Sequence, residues 1–338
     1  MTRSPSRFLL FAAIGVAVIV GGWVAGPRVE AVRPVVHLPT VPQDAQALTA
    51  FIDEEEAHAG PLRDDTRARI VWATPDSPHR TECSMVYLHG FSASQGEGGG
   101  LPAALARQFG CNLYLARLPG HGLAAPDAMA GLNAQTLADG AARALAIGNA
   151  LGERTILIGT STGGSLALLL ASQVPERIGA LVLWSPLVRE RGNKLDLLFQ
   201  PWGLWALRLL QNRGGAIVHK PSSSPVWASD LHVDGYRALA ELTRGAMNAR
   251  TFGAVTAPTF VGYYYRDEAH QDQTVSVAAI KGMAGALGTP ADRKRVVDFP
   301  DAGTHVIPFP GLSQASAGVE AASADFLRTV VGLTPAAP

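Results

Sequence analysis

Residues 155–163, Thr155-Ile-Leu-Ile-Gly159-Thr-Ser161-Thr-Gly163, decide how this chain is read. Thr155 to Ile158 is a short apolar, β-rich run of the kind that makes a buried strand. Gly164-Ser-Leu-Ala-Leu-Leu-Leu-Ala-Ser172 behind it favours helix and stops before Pro175. A Gly-x-Ser-x-Gly between strand and helix is the setting of a nucleophile elbow. So sharp a turn leaves no room for side chains beside the serine, which accounts for the glycines. The serine is forced into a strained backbone conformation, with its hydroxyl projecting past the strand end. The helix behind it adds partial positive charge and free N–H groups, which suit a developing oxyanion. Five-residue matches also arise by chance, and glycines between strand and helix occur in dinucleotide folds. A Rossmann site, however, wants Gly-x-Gly-x-x-Gly in the first strand–helix unit, and this motif sits mid-chain without that spacing.

Upstream, Arg67 to Ala73 alternates enough for an early strand, and Met85-Val-Tyr-Leu88 is a second, ending in His89-Gly90-Phe91-Ser92. In such a turn the N–H of Phe91 can face a cleft as one oxyanion donor, with the N–H of Thr162 as the other. His89 reads as turn-stabilising rather than as a base. Gly96 to Gly100 reads as a mobile loop near the same mouth; a phosphate cradle there lacks the following Lys-Ser/Thr. Leu101 to Phe109 predicts a helix, Asn112 to Ala116 a strand, and Ala134 to Leu151 a long alanine-rich helix. Between the last two, Arg117-Leu-Pro-Gly-His121-Gly122 turns at a strand's carboxyl end, with His121 in a structural role. Alternating strand and helix implies a parallel sheet covered on both faces. Active sites in such sheets lie beyond the strands' carboxyl ends, where all three turns fall.

The His89–Ser92, Arg117–Gly122 and Gly159–Gly163 stretches together resemble the α/β-hydrolase superfamily. More narrowly they resemble its serine esterases, monoacylglycerol lipases and lysophospholipases, over roughly residues 65 to 330. The resemblance implies an α/β-hydrolase fold: a mostly parallel sheet, helices on both faces and a helical cap. The strand–helix rhythm indeed stops between about 187 and 256, where Leu195 to Leu210 and Tyr236 to Ala249 look helical. Phe199, Trp202, Leu204, Trp205, Leu209 and Leu210 would build an apolar acyl pocket there, or simply pack as core. The superfamily order is serine, acid, histidine. Asp267 follows the strand Ala257–Tyr265 at the usual distance; Asp272 needs a small insertion, but Gln273-Thr-Val-Ser276 matches the Asp-x-x-Val-Ser continuation better, and Asp272 is favoured. His305, on Asp301-Ala-Gly-Thr-His305 after the strand Arg295–Phe299, occupies the base position. The expected site is therefore Ser161, Asp272 and His305, with Phe91 and Thr162 as the oxyanion hole and no cofactor or metal. The expected activity is ester hydrolysis on lipid-like or other apolar acyl groups through an acyl-enzyme. Acyltransfer, amide or lactone cleavage, and a non-catalytic membrane-tethered binding role remain alternatives.

The 338 residues include 47% hydrophobic ones, ample for a large core, and 28 acidic against 28 basic side chains, which gives no basic footprint for a nucleic-acid partner. Arg3 and Arg7 precede the uncharged run Phe8 to Ala25, roughly 27 Å as a helix and close to a bilayer's hydrocarbon thickness. Pro27 spoils the nearest cleavage site. Residues 1–26 are therefore expected to be a membrane anchor or uncleaved signal, 27–62 a proline-broken tether and lead-in, and 63–338 the hydrolase domain with its cap at about 187–256. The catalytic part is then exported while anchored, or secreted if the segment is cleaved. Cys83 and Cys111 each precede a strand-like run, so a disulfide and a pair of buried thiols are both open. Nothing in the sequence sets the oligomeric state.

Overall fold

The computed structural model describes residues 5–336 other than 213, 221 and 223. Helices α1 (Pro5–Val24) and α2 (Ala45–His58) come first. Strands and helices then alternate: β1 (Arg69–Val71), β2 (Thr81–Leu88), α3 (Leu101–Gln108), β3 (Asn112–Leu115), α4 (Ala134–Leu151), β4 (Gly152–Thr160), α5 (Thr162–Gln173) and β5 (Ala180–Trp184). The alternation is interrupted by α6 (Gly203–Asn212), β6 (Ile217–His219), β7 (Asp230–His232), α7 (Asp234–Ala246) and α8 (Ala249–Ala254). It resumes with β8 (Thr259–Tyr263), α9 (Val277–Ala286), β9 (Lys294–Asp298) and α10 (Ser316–Thr329).

The main sheet has seven strands in the order β1-β3-β2-β4-β5-β8-β9, all parallel except β1, which pairs antiparallel with β3. Its middle strands are covered on both faces, so they read as continuous apolar runs rather than alternating ones. Every residue of β5 and β8 is buried. Each fully buried Leu, Ile or Val in this layer contributes about 1.5–3 kcal/mol. Helix starts are fixed by side-chain caps: Asn133 accepts from Thr136 N ahead of α4, and Ser276 from Ala279 N ahead of α9. Trp184, wholly buried, donates its indole N–H to Ser323 Oγ of α10 at 3.1 Å, joining β5 to the last helix. The register that sets Ser84 opposite Asn112 also places Cys83 beside Cys111 at the amino end of these strands. The two form a disulfide, with Cα atoms 4.9 Å apart.

Between β5 and β8 the chain forms an insertion unlike the one expected in detail. A single helix over Leu195–Leu210 does not form. Lys194–Phe199 is a 3-10 helix, and Pro201 then breaks the run before Trp202, with φ 63°, leads into α6. Strands β6 and β7 make a small antiparallel hairpin with Val218 opposite Leu231; at three residues each they leave no periodicity to detect. Among the apolar residues read as pocket material, Phe199 and Leu204 pack on the core, whereas Trp202, Trp205, Leu209 and Leu210 are exposed.

The anchor expected over residues 1–26 finds no support: among the described residues no helix is long and apolar enough to cross a membrane. Residues 1–4 lie outside the described residues. Helix α1 ends at Val24, and its uncharged part from Phe8 spans roughly 25 Å. Its side chains from Leu9 to Val24, Phe11 and Ile19 among them, are exposed. Residues 27–43 contain no helix or strand and lie along the domain as a belt. Val29 N meets Leu198 O of the insertion, Arg33 donates to Ser172 Oγ, and Val36 N donates to Gln173 Oε1. Within it, Val29, Val36 and Val41 are buried against the core. Farther on, Glu56 of α2 forms a two-pronged ion pair with Arg117, fastening α2 to the turn after β3.

Candidate active site

Ser161 sits between β4 and α5 with φ 51° and ψ −114°, a left-handed conformation that costs a non-glycine residue of order 1–3 kcal/mol. The surroundings enforce it. Ser161 N donates to Trp184 O at 3.0 Å, so the neighbouring strand still grips the turn, and Ser161 O accepts from Leu187 N at 2.9 Å. A Cβ on Gly163 would stand 1.9 Å from Leu88 O, and one on Gly159 would stand 2.6 Å from the backbone of Gly163. Only hydrogen atoms fit at either place. Thr162 opens α5, and its N–H is one of the helix's four amides without an intrahelical acceptor.

His305 lies on the loop after β9, and Asp272 on the loop after β8. Their side chains meet: His305 Nδ1 is 2.6 Å from Asp272 Oδ2. Asp272 is wholly buried, and its other oxygen accepts from the amides of Thr274 at 2.8 Å and Val275 at 3.0 Å. Burial works against the carboxylate's charge, but protonated His305 and those amides outweigh it and hold Asp272 below its ordinary value. For His305, burial likewise opposes the charge, and Asp272, helped by Glu97, raises the imidazole above its usual value against Lys220. With Nδ1 committed to Asp272, Nε2 is buried without a hydrogen-bond partner among the described residues. Asp267 stands elsewhere, exposed, accepting from the amides of Ala269 and His270 and from the His270 ring. The acid that reaches His305 is thus Asp272, the one farther from the strand.

Phe91 follows β2 at the same end of the sheet. Its ring packs edge-on against Tyr236 of α7, with centroids 5.2 Å apart, and against His121 at 6.0 Å. His89 is occupied at both nitrogens: Nδ1 faces Gly90 O at 2.9 Å, and Nε2 accepts from Leu118 N at 3.1 Å. Burial pushes it well below its ordinary value, followed by the nearby His121. His121 is pushed down to about 4, chiefly by burial, while its Nδ1 meets Pro119 O. Both histidines stay neutral and brace turns. Residues 95–100 differ from the mobile loop expected of them. Gln95–Gly98 is a 3-10 turn, and Glu97 inside it is buried, taking a 2.5 Å hydrogen bond from Gly90 N. Its four glycine neighbours hid it; the signal available was one acidic residue in the otherwise uncharged stretch from Ser84 to Ala106.

Ser161, Phe91, Thr162, Asp272 and His305 all follow strands at the carboxyl edge of the sheet, where this architecture concentrates its chemistry. Among the described residues no cluster of three or more His, Cys, Asp or Glu is arranged to hold a metal ion. Known proteins share both the chain pattern and the architecture. A pimeloyl-[acyl-carrier protein] methyl ester esterase of Nitrosomonas europaea is 34% identical over 122 residues, covering 36% of this chain and 42% of that protein. The chain thus aligns with less than half the length of that curated relative. Among solved structures, a metagenome-derived lipolytic enzyme of the LipS and LipT pair superposes with a TM-score of 0.62 at 19% identity, covering 79% of this chain and 99% of the other. The monoacylglycerol lipase of Paleococcus ferrophilus does so at 0.56 and 15%, covering 79% and 98%, and Est1E of Butyrivibrio proteoclasticus, bound to ferulic acid, at 0.55 and 17%, covering 78% and 94%. At such identities the likeness is one of fold. The sequence profile of the alpha/beta hydrolase family matches residues 85–322, well over half of the chain and every segment of the site, and the chain belongs to that family.

Proposed function

We propose that this protein is a serine hydrolase that cleaves carboxylic esters of apolar acyl groups through an acyl-enzyme. The buried Asp272–His305 pair with its unpartnered Nε2 carries the proposal, because it presents a proton acceptor of fixed tautomer at the edge that also bears Ser161. In this mechanism Ser161 Oγ attacks the ester carbonyl as His305 Nε2 takes its proton. Asp272 keeps the other proton on Nδ1 and steadies the imidazolium. The amides of Phe91 and Thr162 receive the oxyanion, each worth about 3 kcal/mol by analogy with comparable donors. His305 then protonates the departing alcohol, and water repeats the sequence on the acyl-enzyme. Phe91, Tyr236 and Trp227 supply the aromatic surroundings that favour an apolar acyl chain. The esterase relative, though it aligns over only part of its length, points to the same bond type.

The test is turnover of p-nitrophenyl esters of graded chain length, with Ser161→Ala and fluorophosphonate labelling alongside. Turnover that climbs beyond acetate, and vanishes together with the label in Ser161→Ala, supports the proposal. An unlabelled, inactive wild type refutes it. Adding an alcohol or amine acceptor to the same assay distinguishes acyl transfer from hydrolysis by product. We further place the domain in an oxidising compartment outside the cytoplasm, since a disulfide such as Cys83–Cys111 persists there. Thiol alkylation in intact cells checks this: cysteines open to alkylation before reduction would overturn it.

A further inference from the structure

We propose that Glu97 is a positioning residue for the hydrolysis proposed above, on which this inference rests: its carboxylate fixes the Gly90–Phe91 turn and clasps Trp227 of the insertion to it. Glu97 is 2% exposed, and among the described residues no ion pair includes it. A buried carboxylate is costly unless its oxygens are satisfied. Here each oxygen has its own donor. Oε2 accepts from Gly90 N at 2.5 Å, one residue before the oxyanion donor Phe91, and Oε1 accepts from Trp227 Nε1 at 3.4 Å. The Tyr87 hydroxyl lies near enough to feel the carboxylate's charge, and it meets Thr160 Oγ1, next to the nucleophile, at 3.0 Å.

The segments around Glu97 are joined at other points too. Ala228 N donates to Ser92 O at 2.8 Å, so the insertion is held to the oxyanion turn at a second point. The Trp227 ring stands edge-on to Phe309, four residues beyond His305, with centroids 5.4 Å apart. Gly99, with φ +59°, lies so close to the same loop that a Cβ would be 2.8 Å from Pro308 O. One carboxylate therefore touches, or lies beside, the segments carrying the nucleophile, the oxyanion donor and the base.

Its charge reaches His305. Burial pushes Glu97 up to about 7, against the Gly90 amide, protonated His305, Trp227 and Tyr87. The titratable groups facing it are Tyr87 from β2 and His305 from the loop after β9; His305 in turn faces Asp272 and Lys220. Above neutrality the anion favours the protonated imidazole. A glutamine offers one acceptor to two donors, so Glu97→Gln removes the charge and leaves either Gly90 N–H or Trp227 Nε1–H facing an amide NH₂.

The experiment measures kcat and KM on a short p-nitrophenyl ester across the neutral pH range for wild type, Glu97→Gln and Trp227→Phe, with fluorophosphonate labelling of each. For Glu97→Gln, kcat is expected to fall about tenfold or more, with KM changed less than about twofold. The acid limb of kcat/KM is expected to move to lower pH, because an imidazole without the neighbouring anion releases its proton more readily. Trp227→Phe keeps the charge but loses one donor to it, so the ionisation of Glu97 moves to higher pH. Wild-type kcat and an unmoved limb in Glu97→Gln overturn the role. If that variant does not fold, an unmoved profile in the half-exposed Trp227→Phe overturns it instead. A wild type that neither labels nor turns over refutes the serine-hydrolase assignment, and the Glu97 role with it; a labelled, active wild type with unmoved variants refutes Glu97 alone.

Discussion

Replacing Asp272 with asparagine isolates the contribution of one proton. Oδ1 of Asp272 already accepts from two backbone amides, Thr274 N and Val275 N, and these fix which way an asparagine must face. Its oxygen stays with the amides, and its NH₂ replaces Oδ2, 2.6 Å from His305 Nδ1. Two donors cannot share that contact. The imidazole responds by shifting its proton to Nε2, so that Nδ1 accepts from the asparagine, and the atom needed as the base is blocked. Loss of the correct tautomer with geometry intact lowers kcat by about 10⁴, or about 5.4 kcal/mol. Asp267→Asn, on an exposed loop with only His270 and local amides as partners, should stay within about twofold of wild type. The assay is kcat on p-nitrophenyl butyrate, with circular dichroism to confirm that both variants fold. A folded Asp272→Asn retaining more than a tenth of wild-type kcat would refute the tautomer argument, and a large loss in Asp267→Asn would reassign the acid.

A methyl group at Gly163 would stand 1.9 Å from Leu88 O, so Gly163→Ala should cost about 3 kcal/mol or more, read as a lower urea midpoint with activity lost; an unchanged midpoint would show that the elbow can move away from β2. Because the base must be neutral and His305 is raised, kcat/KM should fall on the acid side with a midpoint above the ordinary histidine value of about 6.5, and a midpoint well below it would contradict the Asp272 pairing. Stability follows a different window. The depressed Asp272 stabilises above its unfolded pKa and loses that contribution as pH falls, whereas the raised His305 stabilises below its own unfolded value and loses that contribution as pH rises. The pair therefore contributes most between roughly pH 4 and 6.5, and the gap in urea midpoint between wild type and His305→Ala should narrow as pH rises through the raised pKa of His305. Reducing Cys83–Cys111, which spans 28 residues, should cost about 3.6 kcal/mol by the loop-closure relation; reduction without effect on the midpoint would mean the parallel ladder between β2 and β3 already restrains that loop.

The elbow could be read from sequence because everything that makes it is local: a strand, two glycines that must be glycines, and a helix behind them. Asp272 was harder. Asp267 follows the strand more directly, and the only hint against it was the Val-Ser after Asp272; the arbiter, contact with His305, lies 33 residues away in sequence. Trp202 shows the limit of periodicity, since Pro201 could have warned of a break that the apolar spacing around it concealed. The hairpin of β6 and β7 is held by pairing across a connection, not by any pattern within three residues. Glu97 was the least legible. Glycines on either side suggest freedom of movement, yet the burial that fixes it comes from Tyr87, Trp227 and the loop of Phe309, residues distant in sequence.

The belt of residues 29–36 sets where this domain can be cut. The stretch matching the family begins at residue 85, but a polypeptide started there would lack the segment that joins Leu198 of the insertion to Ser172 and Gln173 on the core helix α5. It would also uncover the apolar surface beneath Val29, Val36 and Val41. A unit that keeps these contacts therefore begins upstream of Val29. The belt also fastens the Leu198–Trp202 edge of the insertion, through Val29 and Pro27. Shortening it would release that edge without touching a single reacting atom.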